Sequence, residues 1–102
     1  MAAIFGRSGP RETAYWAVQL RRGEAANAVS GRYLCHERTA SAARRTAARL
    51  AKNRGMPRFT VTAIDLPVGG WGETAPPEMG KALEVTNLYL WSRILAGRQP
   101  ED

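Results

Sequence analysis

The stretch TASAARRTAARLAKNRG, residues 39–55, predicts a helix with one methyl-rich side and one cationic side. Thr39 or Ser41 can cap its start, Gly55 can end it, and Pro57 prevents its continuation. At 3.6 residues per turn, one side collects the apolar residues Ala40, Ala43, Ala47, Leu50 and Ala51. Small side chains permit a close approach, so we expect this side of the helix to pack on strands.

The opposite side of this helix carries a row of cations. Arg45, Arg49 and Lys52 recur at i, i+4 and i+7, and no acid occurs between Arg38 and Arg58. Like charges at this spacing repel by some tenths of a kcal/mol per pair, which an anionic partner would relieve. A solvated outer surface is the alternative interpretation. The candidate polyanion-binding residues are Arg38, Arg44, Arg45, Arg49, Lys52 and Arg54.

The charge of the whole chain favours an acidic partner. The 102 residues carry a net charge of +6, with a sequence pI near 10.4. Residues 1–58 hold twelve cations and three acids, whereas residues 59–102 hold three cations and six acids. A basic half of this kind is typical of proteins that bind nucleic acid, a nucleoprotein or an acidic protein surface. No basic segment carries a wide apolar face, which disfavours a membrane surface.

Three segments around this helix read as strands. Residues 13–21, 32–37 and 58–65 contain alternating or apolar runs, and Trp16, Val18 and Leu20 share the side expected to face the core. Residues 22–31 suit a hairpin loop, and the helix then carries the chain back so that the third strand runs parallel to the second. The prediction is an α+β domain over residues 1–102, with strand order 2-1-3 and the helix on one face.

The flanking segments are less regular. Residues 1–12 suggest a loose arm, and residues 66–77 a loop rich in Gly and Pro. Residues 78–97 are predicted as a helix, with a fourth strand over 83–91 as the alternative. A helix there is apolar on nearly every side, which implies a partner or a homodimer. The candidate interface residues are Trp71, Tyr89 and Trp91.

Residues that would carry catalysis or hold a metal are sparse. Cys35 is the single cysteine, which excludes a disulfide within the chain, and its neighbour His36 would point to the other face of a strand. The carboxylates follow no metal-ligand spacing, so we predict no cofactor, no metal and no enzymatic activity. We see no signal peptide or membrane span and expect a cytoplasmic protein.

The segments YWAVQL and TASAARRTAARLAKNRGMPRFTVTAI resemble a strand–helix–strand pattern of small phage and mobile-element proteins, including some anti-CRISPR proteins. The matching residues are Tyr15–Leu20, Thr39–Arg54 and Phe59–Ile64, with A-R-R-x-A inside the helix. The resemblance implies a non-catalytic inhibitor that docks on a CRISPR effector, a nucleoprotein. The alternative hypothesis is a protein-interaction module that assembles through residues 79–95 without binding nucleic acid.

Overall fold

The computed structural model describes residues 14–65 and 74–98 of the chain. A 3-10 turn, Ala26–Ala28, lies between the first two strands. In chain order the elements are strand β1 (Tyr15–Arg21), strand β2 (Val29–His36), helix α1 (Ala40–Asn53), strand β3 (Arg58–Ile64), strand β4 (Ala82–Glu84) and helix α2 (Leu88–Ala96).

The four strands form one antiparallel sheet in the order β3-β1-β2-β4. The predicted order 2-1-3 holds for the first three strands, and the structure adds β4 beside β2. In the centre, Trp16 of β1 lies opposite Cys35 of β2 and Ala63 of β3. Because β2 begins at Val29, the hairpin loop covers 22–28 and is shorter than predicted, and Gly31 pairs with Leu20 inside the sheet.

Helix α1 covers one face of the sheet through small side chains. Ala43 and Ala47 are completely buried, and with Ala51 they pack against a layer of strand side chains. That layer consists of Trp16, Val18, Leu20, Tyr33 and Cys35. The structure therefore confirms that the Trp16 side of β1 faces the helix.

The predicted buried side of α1 needs one correction. Ala40, which the sequence places on the buried side, is exposed, whereas Thr46 is buried. The Thr46 hydroxyl donates a hydrogen bond of 2.6 Å to the Glu37 carboxylate, just beyond the end of β2. This bond satisfies the polar group that burial would otherwise leave unpaired.

The opposite face of the sheet is partly covered by the segment that follows β4. Trp91 and Ile94 of α2 pack in a second core cluster with Ala17, Leu34 and Ile64. Both faces of β1 therefore contribute to the core, which explains why its apolar residues are not confined to alternate positions.

Residues 78–97 do not form the single predicted helix. Residues 82–84 pair with β2, where Leu83 lies opposite Leu34, and the helix begins only after Asn87. The Asn87 side chain accepts a hydrogen bond of 3.0 Å from the Leu90 N–H, which is the role of an N-cap. Both alternatives for this segment are therefore partly correct.

Some sequence predictions fall outside the described residues. The arm over 1–12 and most of the loop over 66–77, including Trp71, belong to ranges that the structure does not describe.

The close contact between α1 and the sheet can be tested with two neighbouring alanines. Ala47 is completely buried, whereas Ala48 is exposed. We expect Ala47→Leu to lower the free energy of unfolding in urea by about 1–3 kcal/mol, because the added methylenes have no space. The control, Ala48→Leu, should change it by less than about 0.5 kcal/mol. Equal effects of the two substitutions would show that α1 does not lie tightly against the sheet.

Candidate polyanion-binding surface on helix α1

Local hydrogen bonds fix both ends of helix α1. The Ala42 N–H donates a 3.1 Å hydrogen bond to the Thr39 hydroxyl, so Thr39, and not Ser41, is the N-cap. At the other end Gly55 adopts a φ of 68°, a left-handed conformation that glycine accepts readily. The helix therefore begins and ends close to where the sequence indicates.

Burial of the alanine side places most of the predicted cations in solvent. Five of the six candidates are exposed side chains that form no ion pair with any described residue. We call these five residues the cation row: Arg38, Arg44, Arg45, Arg49 and Lys52. All but Arg38, which precedes the N-cap, lie within α1.

Arg54, the sixth predicted candidate, differs from the five residues of the cation row. Its guanidinium donates a hydrogen bond to the Tyr33 hydroxyl and lies 3.5 Å from the Glu84 carboxylate. The Tyr33 oxygen, and secondarily Glu84, raises the pKa of Arg54 above its usual value, so the side chain stays charged. Tyr33 and Glu84 are cross-strand neighbours in β2 and β4. Arg54 thus ties the end of α1 to these strands, and its charge is already partly compensated.

Two other acids of the described chain are also engaged away from the cation row. Glu37, the acid closest in sequence, accepts the hydrogen bond from Thr46. Glu24 pairs with Arg58 at 2.7 Å. Within the described ranges the sequence contains thirteen cations and five acids. The cation row therefore keeps its mutual repulsion, and an anion from outside the chain would relieve it.

The second predicted interface is only partly at the surface. Tyr89 is 73% exposed and its neighbour Leu88 is 61% exposed, both at the start of α2. Trp91 is only 5% exposed, because it faces the sheet and packs in the second core cluster. The structure therefore removes Trp91 from the candidate interface and leaves Tyr89, whereas Trp71 lies outside the described residues.

Cys35 and His36 are separated by the sheet, as expected for neighbours on a strand. Burial, with a smaller contribution from Glu37 and a small opposing one from Arg49, raises the pKa of Cys35 to about 12, so it is an uncharged thiol at neutral pH. His36 stacks on Tyr15 with ring centroids 4.3 Å apart, and its Nδ1 lies 2.9 Å from the Pro77 carbonyl oxygen. These contacts give the two residues packing roles, without a shared proton or nucleophile.

The described part of the chain contains no group of three or more His, Cys, Asp or Glu residues placed to hold a metal ion. An open groove of about 570 Å³ lies beside the start of β3, lined in part by Arg21, Arg58 and Phe59. Its two arginines are engaged: Arg21 donates to the Gly23 and Ala25 carbonyls at 3.2 and 2.6 Å, and Arg58 pairs with Glu24. The groove therefore offers no uncompensated cation comparable with those of the cation row.

No protein-family model, curated protein or solved structure matches this chain. Among the helices that the structure describes, none has the length and apolar character needed to cross a bilayer.

Stability measurements can separate the structural arginine from the surface arginines. We expect Arg54→Ala to lower the midpoint of thermal unfolding, because it removes the links to Tyr33 and Glu84. The matched substitution Arg49→Ala should leave the midpoint unchanged or raise it, since Arg49 forms no ion pair or hydrogen bond with a described residue and the charged neighbours on its helix are all cations. A larger loss from Arg49→Ala than from Arg54→Ala would contradict this assignment.

Proposed function

We propose that this protein binds a polyanion through the cation row on α1, and that the ligand is the phosphate backbone of a nucleic acid, free or within a nucleoprotein. The observation that carries the proposal is the set of five exposed cations that have no acid partner in the described part of the chain. Their accumulation along one helix is unfavourable in isolation and favourable beside phosphates.

The spacing of the cations supports backbone contacts. At 1.5 Å per residue, Arg45 and Lys52 are about 10 Å apart along the helix axis. A DNA duplex of that length carries about six phosphate charges, which is more than the three cations Arg45, Arg49 and Lys52 that the span contains. Arginine suits this task because its planar fork donates two parallel hydrogen bonds to phosphate oxygens. Contacts of this kind carry no base information, so binding is independent of sequence.

The proposal includes no catalytic step. We leave catalysis out of the proposal because Cys35 and His36 lie on opposite faces of the sheet and each has a packing role. The resemblance of Tyr15–Leu20, Thr39–Arg54 and Phe59–Ile64 to phage proteins narrows the proposal further. In that form the protein is a phage-borne inhibitor, and the cation row contacts the guide RNA or an acidic surface of a CRISPR effector.

The exposed pair at the start of α2 favours a second candidate function. Leu88 and Tyr89 place two large apolar side chains in solvent, as in a surface that assembles with another protein or a second copy. This function would depend on α2 and would be insensitive to the cation row.

Fluorescence anisotropy with a labelled 20-base-pair duplex and a labelled single-stranded RNA tests the proposal. With three to five phosphate contacts, we expect log K for the duplex to fall with log salt at a slope of about −3 to −4.5. The double substitution Arg45→Glu/Arg49→Glu should weaken binding by at least about 100-fold, or about 2.7 kcal/mol, and leave the thermal midpoint intact.

Two controls locate the binding surface. Arg22→Glu/Lys81→Glu changes two exposed cations outside α1 and lowers the net charge equally, and we expect a much smaller loss of affinity. Tyr89→Ala should leave nucleic-acid binding unchanged and should disrupt self-association if the second candidate function is correct. Absence of binding at low salt, or equal losses from the two double substitutions, would refute the role of the cation row.

A further inference from the structure

The sheet has two edges of unequal length. The edge strand β4 has three residues, whereas the edge strand β3 has seven. An edge strand presents backbone N–H and C=O groups that an added strand can pair with. Only β3 is long enough to receive a strand of ordinary length.

The pairing of Ile64 shows which backbone groups of β3 point outward. Ile64 pairs with Tyr15 of β1 on one side and forms an antiparallel bridge with Arg98 on the other. On that outer side the Asp65 N–H donates to the Gly97 carbonyl at 2.7 Å. Backbone groups alternate along a strand, so the odd-numbered residues Phe59 and Val61 also direct their N–H and C=O groups away from β1.

These outward groups have no partner within the described ranges. Among residues 14–65 and 74–98, no backbone or side-chain hydrogen bond outside the sheet ladder involves Phe59 or Val61. The segment from Phe59 to Ile64 also contains no Pro and no charged side chain, which are features that proteins use to block edge pairing. Its sequence, FTVTAI, is instead rich in β-branched residues.

We propose that the outer edge of β3 binds an extended, acidic segment of a partner protein, which adds a strand to the sheet. The positive charge of this chain favours an acidic partner segment. The described residues hold thirteen cations and five acids, so an acidic segment is attracted to this surface and a basic segment is repelled. Arg58 lies at the start of the strand, in an exposed and therefore weak pair with Glu24. A second copy of this chain carries the same net charge of +6, which opposes the approach of the two edges.

The two faces of β3 define the side-chain pattern of this partner. Phe59 and Val61 are half-buried on the α1 face, whereas Thr60 is exposed on the other face beside Arg58. An added strand alternates its side chains in the same way. The partner segment therefore places apolar side chains on the α1 face and acidic side chains on the other. Its main-chain hydrogen bonds provide affinity, and this alternation provides specificity.

Amide hydrogen exchange of the full chain by NMR, with and without a blocked peptide of alternating Val and Glu, tests this proposal. We expect the Phe59 and Val61 amides to exchange rapidly in the free protein and to slow by at least about tenfold with saturating peptide. The Thr60 and Thr62 amides, which already pair with β1, should change little. A peptide of alternating Val and Lys should give no protection.

Substitutions at the edge separate this site from the cation row. Val61→Pro removes one outward donor and should abolish protection by the peptide. Because this proline can also weaken the strand, Thr60→Glu serves as a second variant: it should reduce peptide affinity about tenfold, whereas the matched Thr60→Lys should retain it. Arg45→Glu/Arg49→Glu, the variant for nucleic-acid binding, should retain the protection of Phe59 and Val61.

Three results would overturn the proposal. The first is an absence of protection at saturating Val/Glu peptide. The second is protection of Phe59 and Val61 that rises with protein concentration without peptide, which assigns the edge to a second copy. The third is protection in the free protein at every concentration, which means that the chain itself fills the edge.

Discussion

The contact between the alanine side of α1 and the sheet determines where the other functional groups lie. Ala43 and Ala47 are completely buried, and their short side chains leave no space between the helix and the layer of Trp16, Val18 and Leu20. This contact fixes the rotation of α1 about its own axis. Because the helix cannot rotate, residues on its opposite side, including Arg45, are held in solvent.

The methyl groups of the alanines bury little apolar area, and each buried group of CH2 size contributes only about 0.8 kcal/mol. Two polar links supplement them, one from the middle of α1 and one from the residue that follows its end. Thr46, in the middle of α1, donates a hydrogen bond to Glu37, and Arg54, just after the helix, donates one to Tyr33. The residues that secure the helix are thus distinct from those of the cation row. Substitutions in the row can therefore change binding without changing the fold.

Much of the fold could be predicted from local patterns, because caps, glycines and alternation act over a few residues. Thr39, Gly55 and the strand around Val61 lie as the sequence indicates. The segment after residue 77 could not be predicted in this way. Its strand depends on pairing with β2, a long-range contact, and Asn87 interrupts a pattern that fits either a strand or a helix until its capping role is seen.

The same distinction applies to the candidate surface. Helical periodicity alone predicts the exposure of Arg45, Arg49 and Lys52, because it depends only on which side is apolar. Periodicity could not show that Arg54 meets Tyr33 and Glu84, since these residues come from strands 21 and 30 positions away in the sequence. Nor could it show that Trp91 is buried, because that depends on the second face of the sheet.

The most direct test of the central claim is 15N NMR of the arginine Nε–H groups during titration with a short DNA duplex. We expect the Nε–H signals of Arg45 and Arg49 to shift as phosphate binds, and the exchange of these hydrogens with water to slow. The Arg54 signal should remain unchanged, because its guanidinium is already bound to Tyr33 and Glu84. Shifts confined to arginines outside α1, or an Arg54 signal that moves while Arg45 and Arg49 stay constant, would contradict the claim that α1 presents its unpaired cations to a polyanion.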